Sequence, residues 1–289
     1  MIAFPGARVV TSLPSELTPE VRQGLSLAGD DYSGEQLVAW FEQEKEAFFH
    51  DNDGNSEIDS WYAHMRYVNE RLGFSELRSS ATSFSVLVLG PGSGIEVENI
   101  AARNPHWLFS FVEASENFRQ HLKVKHPGSR IVAAQVSGDI DLASDTEDAA
   151  CAFSVLHHIP NVSHVVREVF RVLKAGGIFL VREPCSSMGD WRFPRSATPN
   201  ERGISRNLLI SIARKAGFEL VGGRPTPVLL SPLNGIFKRL HLQGFMGGAP
   251  FYWLDRLSSQ LVALNDHYWR DTWWKRIGPS AYFYVFKKP

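Results

Sequence analysis

The stretch VLVLGPGSG, residues 86–94, joins an apolar run directly to a loop that contains three glycines. A short continuous apolar run bounded by glycine is typical of a central parallel strand that is buried on both faces. A glycine-rich loop after such a strand lets the backbone approach a nucleotide closely. The stretch therefore predicts a buried strand followed by a loop that binds a nucleotide-like cofactor.

Strand-like and helix-like segments alternate on the C-terminal side of this loop. Helices are predicted at 95–103, 115–125, 164–177 and 205–218, with Ser115 capping the second of them. Further strands are predicted at 107–114, 130–136, 148–156, 178–184, 218–223 and 280–288. This alternation with short connections predicts an α/β fold with a doubly wound sheet and right-handed crossovers.

Two further segments extend this pattern. Residues 1–80 contain only helix-like stretches, with helices predicted at 33–51 and 56–72, and they indicate an N-terminal helical module. Residues 81–289 are expected to form one Rossmann-like domain. Within that domain, residues 224–278 are rich in aromatic residues and proline and include a predicted helix at 251–269. We expect this insert, which precedes the last strand, to pack over the sheet edge as a lid.

Composition and charge limit the function classes. The chain has 289 residues with 30 basic and 31 acidic side chains, a balance that argues against a general nucleic-acid binder. Cys151 and Cys185 fall in or next to predicted core strands, so a disulfide scaffold is not expected. No stretch reaches the roughly 18 uninterrupted apolar residues of a membrane helix. We therefore expect a soluble cytoplasmic protein without a membrane span.

The glycine loop and the acidic residue after the second strand each allow more than one interpretation. The dinucleotide fingerprint is G-x-G-x-x-G, whereas Gly90, Gly92 and Gly94 give G-x-G-x-G. This spacing disfavours a nicotinamide dinucleotide without excluding it, and a plain tight turn is the alternative. Glu113, at the end of the second strand, could accept both hydroxyls of a ribose or could be a solvated strand-end carboxylate.

Four motifs in order resemble one known family. They are the glycine loop, Glu113, Leu156-His157-His158 and the helix end Arg171-Val-Leu-Lys-Ala-Gly-Gly177. Together they are similar to the class I S-adenosylmethionine-dependent methyltransferases over residues 83–184, with weaker agreement through Phe218. The resemblance implies a mostly parallel, seven-stranded sheet, S-adenosyl-L-methionine as the cofactor and S-adenosyl-L-homocysteine as its product.

The resemblance also implies which residues bind the cofactor. The cofactor-binding residues that it predicts are Gly90, Pro91, Gly92, Ser93, Gly94, Glu113, Asp139, Ile140, Ser154 and Leu156. Among these, Asp139 would accept a hydrogen bond from the adenine amino group, Ile140 would pack on the ring, and Ser154 and Leu156 would line the methionine end. The chain departs from the family at Val88, where members usually have an acidic residue that organises the amino-acid end of the cofactor. A loop backbone group or a residue of the helical module would have to replace it.

Candidate catalytic residues follow the fourth and fifth strands, because ligands of open α/β sheets bind beyond the carboxyl ends of the strands. His158 is the first candidate for a general base, since imidazole titrates near neutral pH, although packing or cofactor positioning is an alternative role. Glu183 and Asp190 are the next candidates. Arg192, Arg195 and Arg202 surround Asp190 in sequence and could bind a phosphate or carboxylate, or could belong to an arginine-rich surface loop.

The resemblance implies an enzyme that transfers a methyl group, and we expect the acceptor to be an oxygen of a small or saccharide-like molecule, with a nitrogen or carbon acceptor as the alternative. The loop GDWRFPRSATPNERG, residues 189–203, weakly resembles methyltransferases associated with polysaccharide biosynthesis. No His, Asp or Glu pattern with metal-ligand spacing stands out, so no metal is expected. Two alternatives stay open, namely a non-catalytic binding module that retains the fold and a nicotinamide-dependent oxidoreductase that uses the same loop.

Overall fold

The computed structural model of the protein describes residues 18–49, 60–77, 83–188, 198, 200–229, 233, 236–237 and 239–289. Seven strands in these residues form one sheet: β1 (Phe84–Leu89), β2 (Trp107–Glu113), β3 (Arg130–Ala133), β4 (Glu147–Phe153), β5 (Leu173–Pro184), β6 (Glu219–Thr226) and β7 (Ala281–Lys287). Their order is β3-β2-β1-β4-β5-β7-β6, and β7 is antiparallel to both of its neighbours. The predicted α/β fold with a doubly wound, mostly parallel, seven-stranded sheet is confirmed.

Helices connect and cover these strands. Those described are α1 (Pro19–Gln23), α2 (Glu35–Phe49), α3 (Ser60–Leu72), α4 (Glu98–Arg103), α5 (Glu116–Lys125), α6 (Val162–Val172), α7 (Arg206–Ala216), α8 (Gln243–Met246) and α9 (Ala249–Val262). The predicted cap of α5 is confirmed, because the Ser115 hydroxyl accepts the N–H of Phe118 at 3.4 Å. Side-chain capping satisfies one of the N–H groups that a helix start leaves without an intrahelical partner.

The helix predicted at 164–177 ends earlier than its glycine pair suggested. Helix α6 ends at Val172, and the following residues through Pro184 belong to β5. The N–H of Gly176 donates to the carbonyl of Lys288, and the N–H of Lys288 donates to the carbonyl of Gly177. Pairing with the distant chain end therefore overrides the local preference of glycine for the position after a helix.

The helix predicted at 251–269 is also shorter, because α9 ends at Val262 and a single 3-10 turn, Ala263–Asn265, follows it. The Asn265 side-chain amide donates to the carbonyls of Trp274 at 2.6 Å and Ile277 at 2.7 Å. These hydrogen bonds hold the chain in a turn after α9, so the aromatic residues beyond it lie in a loop and not on a longer helix.

Apolar side chains alternate along the strands and build a core on each face of the sheet. Leu87 and Leu89 of β1 pack on the face that α6 and α7 cover. Val86 and Val88 point to the other face, which α3 and α9 cover. Helix α3 from the first 80 residues and α9 from the aromatic insert thus share one face. Cys151 and Cys185 are buried free thiols, as expected for core positions.

The predicted boundary between residues 1–80 and 81–289 stays a prediction. In the fold, α3 of the first region packs against α8 and α9 of the insert, and Met65 and Val68 of α3 are buried in the same core as Val86. Within the described residues, we find no helix that combines the length and the apolar character needed to cross a membrane.

Candidate functional site

The candidate site lies where β1 and β4 adjoin, because the strand order reverses there and open α/β sheets bind ligands at such a point. Gly90 follows β1 with φ +52°, and a Cβ at this residue would lie 2.2 Å from Cγ2 of Val155. Gly92 also has a positive φ, but a Cβ there would meet no heavy atom within 4 Å. The loop is thus packed tightly at its first glycine and open at its second.

Glu113 at the end of β2 lies directly beside this loop. One carboxylate oxygen accepts the N–H of Gly92 and the other accepts the N–H of Ser115, both at 2.9 Å. The residue is 7% exposed, and burial raises the pKa of its carboxyl while the backbone hydrogen bonds oppose that rise. Each oxygen retains a second lone pair, so the carboxylate can still accept hydroxyl groups of a ligand.

Asp139 and Ile140 differ in accessibility. The Asp139 side chain is 61% exposed and accepts hydrogen bonds from the Ser137 hydroxyl at 2.7 Å and the His164 ring at 2.8 Å. These hydrogen bonds lower the pKa of Asp139, so it is ionised at neutral pH. Ile140 is 4% exposed and packs in the core beneath α6. The Asp139 carboxylate is therefore exposed to solvent, whereas the adjacent Ile140 side chain belongs to the core.

Ser154 and Leu156 follow β4 at the same edge. Ser154 is exposed with φ +56°, a strained conformation for a residue other than glycine. Its N–H donates to the carbonyl of Arg182, and its hydroxyl accepts from the Arg182 guanidinium at 3.1 Å. Leu156 is fully buried in the core. Of these two predicted pocket residues, only Ser154 reaches solvent.

An ion pair that the sequence analysis missed lies beside Ser154. The guanidinium of Arg182 on β5 donates two hydrogen bonds to the carboxylate of Glu96, at 2.8 and 2.9 Å. Asn69 of α3 bonds to both partners, at 2.7 and 2.8 Å. Arg182 is 2% exposed, and a paired arginine at such a site needs good hydrogen-bond geometry to offset its desolvation. Because Phe153 of β4 pairs with Arg182, the pair lies at the carboxyl edge of the sheet.

Glu183, a predicted base, is buried beneath the turn that follows β4. Its carboxylate accepts the backbone N–H groups of Val155 and Leu156, both at 2.8 Å, and lies 2.7 Å from Nδ1 of His157. Burial raises the pKa of Glu183 and lowers the pKa of His157, which disfavours charge on both groups. Both groups thereby hold the shape of the turn, and Glu183 is 1% exposed.

His158, the first predicted base, is held by two residues of α2. Its Nδ1 lies 2.9 Å from Oε2 of Glu44, and its carbonyl accepts the indole N–H of Trp40 at 2.8 Å. Burial lowers the pKa of His158, His157 lowers it further, and Glu44 opposes both effects. Trp40 and Glu44 are one helical turn apart on the buried side of α2, and that spacing was the only sequence signal for them.

The prediction that Arg202 of the 189–203 loop binds an anion is wrong. This residue is 1% exposed, and its guanidinium donates to four backbone carbonyls, those of Ala28, His157, Ile159 and Pro160, at 2.6–3.2 Å. It also lies 4.7 Å from the ring centroid of Trp40. Its hydrogen-bonding capacity is used inside the fold, so Arg202 does not bind a phosphate or carboxylate. Asp190, Arg192 and Arg195 lie outside the described residues.

Comparisons with known proteins agree with this arrangement. Residues 87–181 match the model of a family described as a methyltransferase domain. The fold is similar to a S-adenosylmethionine-dependent methyltransferase from Mesorhizobium loti, with TM-score 0.50, 14% identity and 76% and 97% of the two chains covered. It is also similar to the [4+2]-cyclase SpnF, with TM-score 0.50, 18% identity and 78% and 80% covered. A comparison with curated protein sequences gave no match.

Proposed function

Residues 87–181 form a methyltransferase domain of the class I S-adenosylmethionine-dependent family, and from this premise we propose that the protein methylates an oxygen of a small-molecule or saccharide-like acceptor. The observation that carries the proposal is the convergence of the open glycine loop, Glu113 and His158 at one edge of the sheet. The first two suit the cofactor, and the third suits the acceptor.

The residues at the loop fit S-adenosylmethionine. Glu113 has lone pairs for two ribose hydroxyls, and the space in front of Gly92 leaves the backbone open to a ligand. The exposed carboxylate of Asp139 can accept the adenine amino group. S-adenosylmethionine has no phosphate group. This agrees with the position of the Glu113 carboxylate beside the loop, because a carboxylate would repel a phosphate. When bound, the cofactor supplies an electrophilic methyl group on its sulfonium.

The methionine end is the part of the cofactor for which this chain lacks the usual acidic residue. We assign that role to Glu96, whose carboxylate is kept in place by Arg182 and Asn69. The exposed Ser154 hydroxyl is bonded to the same guanidinium. An ammonium group would find the carboxylate of Glu96 here, so the cluster has the chemistry to bind the amino group of an amino acid. The buried guanidinium of Arg182 keeps that carboxylate in place by donating to Glu96, Asn69 and Ser154.

His158 is the proposed general base. The contact between Nδ1 and Glu44 orients the ring, and in this proposal the imidazole accepts the proton of an acceptor hydroxyl as the methyl group is transferred. The lowered pKa of His158 keeps the ring neutral, and thus able to accept a proton, at neutral pH. A well-placed base contributes about 10²–10⁴-fold to such a step. We keep Glu183 as a positioning residue.

The surroundings of His158 favour a small acceptor. Trp40 and Glu44 of α2 pack directly on the turn after β4, and Asn200 donates to Gln43 of the same helix at 2.8 Å. Helix α2 therefore covers the turn on which we place the acceptor. A helix that covers the site in this way suits a sugar-sized molecule better than a long polymer.

A non-catalytic binding module is the second candidate, because Val88 replaces the usual acidic residue and a fold does not by itself imply a function. Such a module would bind S-adenosylhomocysteine without methylating any acceptor. A nicotinamide-dependent oxidoreductase, the third interpretation of the glycine loop, would bind NAD in preference to S-adenosylhomocysteine. Binding of these two ligands therefore distinguishes the oxidoreductase from the other two hypotheses.

Isothermal titration of the purified protein with S-adenosylhomocysteine and with NAD tests the proposal. We expect micromolar binding of S-adenosylhomocysteine that G92W abolishes, since the indole would fill the open space at the loop. G34W is the matched control, because Gly34 has nearly the same φ, +51° against +53°, and equally open surroundings. Preferential NAD binding, or no loss in G92W, contradicts the cofactor assignment. Methyl transfer from labelled cofactor to a panel of sugars then tests the reaction.

A further inference from the structure

The large apolar side chains that the protein exposes are concentrated in one segment. Of 17 such residues among those described, 12 lie between residues 236 and 277. They are Ile236, Leu240, Leu242, Phe245, Trp253, Leu254, Leu257, Leu261, Leu264, Trp273, Trp274 and Ile277. Isolated apolar residues are ordinary on a surface, but a large contiguous group marks an interaction site.

Helix α9 lies at the centre of this group, and it buries polar side chains while it exposes apolar ones. It buries Asp255 and Ser259 together with two aromatic rings, whereas its exposed side is apolar. We define the apolar stripe as Trp253, Leu254, Leu257, Leu261 and Leu264. At 3.6 residues per turn, the four helical members occupy an arc of about 100°. Leu264 is 97% exposed just beyond the helix end.

Polar contacts inside the fold fix this orientation of α9. One oxygen of Asp255 accepts the N–H groups of Val228 at 2.9 Å and Leu229 at 2.7 Å. The other lies 3.4 Å from Nε2 of His64 on α3, whose Nδ1 is 3.0 Å from the carbonyl of Met246. The helix cannot rotate to bury its leucines without breaking these bonds. The stripe therefore faces outward in the folded chain.

Two tryptophans with basic neighbours extend the stripe. Trp273 is 75% exposed and Trp274 is 44% exposed, and Lys275 and Arg276 follow them. The Asn265 amide ties the carbonyls of Trp274 and Ile277 to the residue after Leu264. Tryptophan and leucine beside lysine and arginine are typical of segments that lie in a membrane interface.

The charge of the segment differs from that of the chain. Residues 236–277 contain six basic and three acidic side chains, whereas the whole chain has 30 and 31. Asp255 points inward, while Asp271 pairs with Lys275 at 2.8 Å and Asp266 lies 4.0 Å from Arg270. Arg239, Arg256 and Arg276 are then the basic excess among the described residues of this surface. A two-fold dimer through this surface would bring the positive charges against each other. Anionic lipid headgroups would complement them instead.

We propose that this surface binds reversibly to a membrane that contains anionic lipids. The apolar stripe enters the boundary between headgroups and acyl chains, with α9 parallel to the membrane plane. The exposed Arg239 and Arg276 contact the lipid phosphates, and Lys275, which pairs with Asp271, adds to the local positive charge. This mode requires no membrane-spanning helix. It rests on residues 236–277 alone and does not depend on which molecule is methylated.

Sedimentation of the full chain with vesicles tests this proposal. We expect binding to phosphatidylcholine vesicles that contain 30% phosphatidylglycerol, and much weaker binding to vesicles of phosphatidylcholine alone. L257D/L261D should lower the partition coefficient at least about a hundredfold, since two leucines lose their burial in lipid. K275Q/R276Q should lower it roughly tenfold, as should added salt.

V38D/V124D is the matched control, because both valines are exposed on helices outside the segment, at 50% and 84%. This variant should bind vesicles like the wild type, and all variants should keep the thermal midpoint and the S-adenosylhomocysteine affinity of the wild type. Wild-type protein that binds neither vesicle, or both equally, overturns the proposal. So does a dimer in light scattering that L257D/L261D dissociates, since the stripe would then be a contact between two copies.

Discussion

Oε2 of Glu44 on α2 lies 2.9 Å from Nδ1 of His158, although 114 residues separate them in sequence. This contact links the N-terminal helices to the turn that follows β4. Because a carboxylate accepts a hydrogen bond and does not donate one, the contact favours a proton on Nδ1. The proposed base is therefore oriented by a residue from a different part of the chain.

Removing the charge of Glu44 should lower the pKa of His158. The carboxylate raises that pKa against the effect of burial, so E44Q shifts the His158 titration to lower pH. An NMR titration of the ring proton measures this without any acceptor. With an acceptor, the acidic limb of kcat/KM should move in the same direction, and H158N should lower kcat about 10²–10⁴-fold.

E42Q is the matched control, because Glu42 is on the same helix with its side chain 61% exposed, 3.6 Å from Lys45. It should leave the His158 titration unchanged. If E44Q and E42Q give the same titration curve, the Glu44–His158 contact does not set the basicity of the ring.

A Cβ at Gly90 should destabilise the protein far more than one at Gly34. The two glycines have φ +52° and +51°, so G90A and G34A share the conformational cost of about 1 kcal/mol. Only G90A also places a methyl group 2.2 Å from Cγ2 of Val155, which adds overpacking of about 1–3 kcal/mol. Chemical denaturation measures the difference, and G90A/V155A should recover part of it. Equal losses in both alanine variants would contradict the close approach.

Local patterns predicted most of the fold and the glycine loop after β1. The run before Gly90 is apolar, Glu113 ends the next strand, and Ser115 caps the helix after it, so each of these features is encoded within a few residues. Contacts across the fold could not be read in this way. The Glu96–Arg182 pair spans 86 residues, and the bond from Arg202 to Ala28 spans 174. The predicted end of α6 was wrong for the same reason, because Gly176 pairs with Lys288, which is far away in sequence.

Arg202 should act on stability and not on ligand binding. Replacing it with alanine leaves four buried or half-buried carbonyls without their donor, and we expect a loss of about 3 kcal/mol or more. R202K retains the charge but not the planar fork, and should recover only part of the loss. The exposed R214A should stay within about 0.5 kcal/mol of wild type. Denaturation without ligand measures all three, and an R202A protein of wild-type stability would refute the structural role.

Glu147 should make the stability fall as the pH rises. It is 3% exposed, and burial raises its pKa above the ordinary value of 4.5. Its folded pKa exceeds its unfolded pKa, so its contribution to stability is present below about pH 4.5 and is lost as the pH rises through the folded value. E147Q keeps the shape without the charge. It should match the wild type at pH 4.5 and melt roughly 2 °C or more higher at pH 8.

E116Q is the control for this pH series, because Glu116 is on the exposed side of α5 with its side chain 61% exposed. It should not gain stability at pH 8 relative to the wild type. A calorimetric profile of E147Q that runs parallel to the wild-type profile at every pH would show that Glu147 does not titrate differently in the folded state.

Glu96 should distinguish ligands by their amino-acid end. If its carboxylate replaces the acidic residue missing at Val88, E96Q weakens S-adenosylhomocysteine, which has the amino-acid group, by tenfold or more. The same variant should bind 5′-methylthioadenosine, which lacks that group, within about twofold of the wild type, because a lost charge-assisted bond of about 1.5–3 kcal/mol affects only the first ligand. Calorimetry measures both.

E98Q is the matched control, since Glu98 is two residues away and pairs with Arg66 and Lys125 instead of Arg182. Equal weakening of both ligands in E96Q would mean that the pair with Arg182 only supports the loop, and the methionine end would then need another partner.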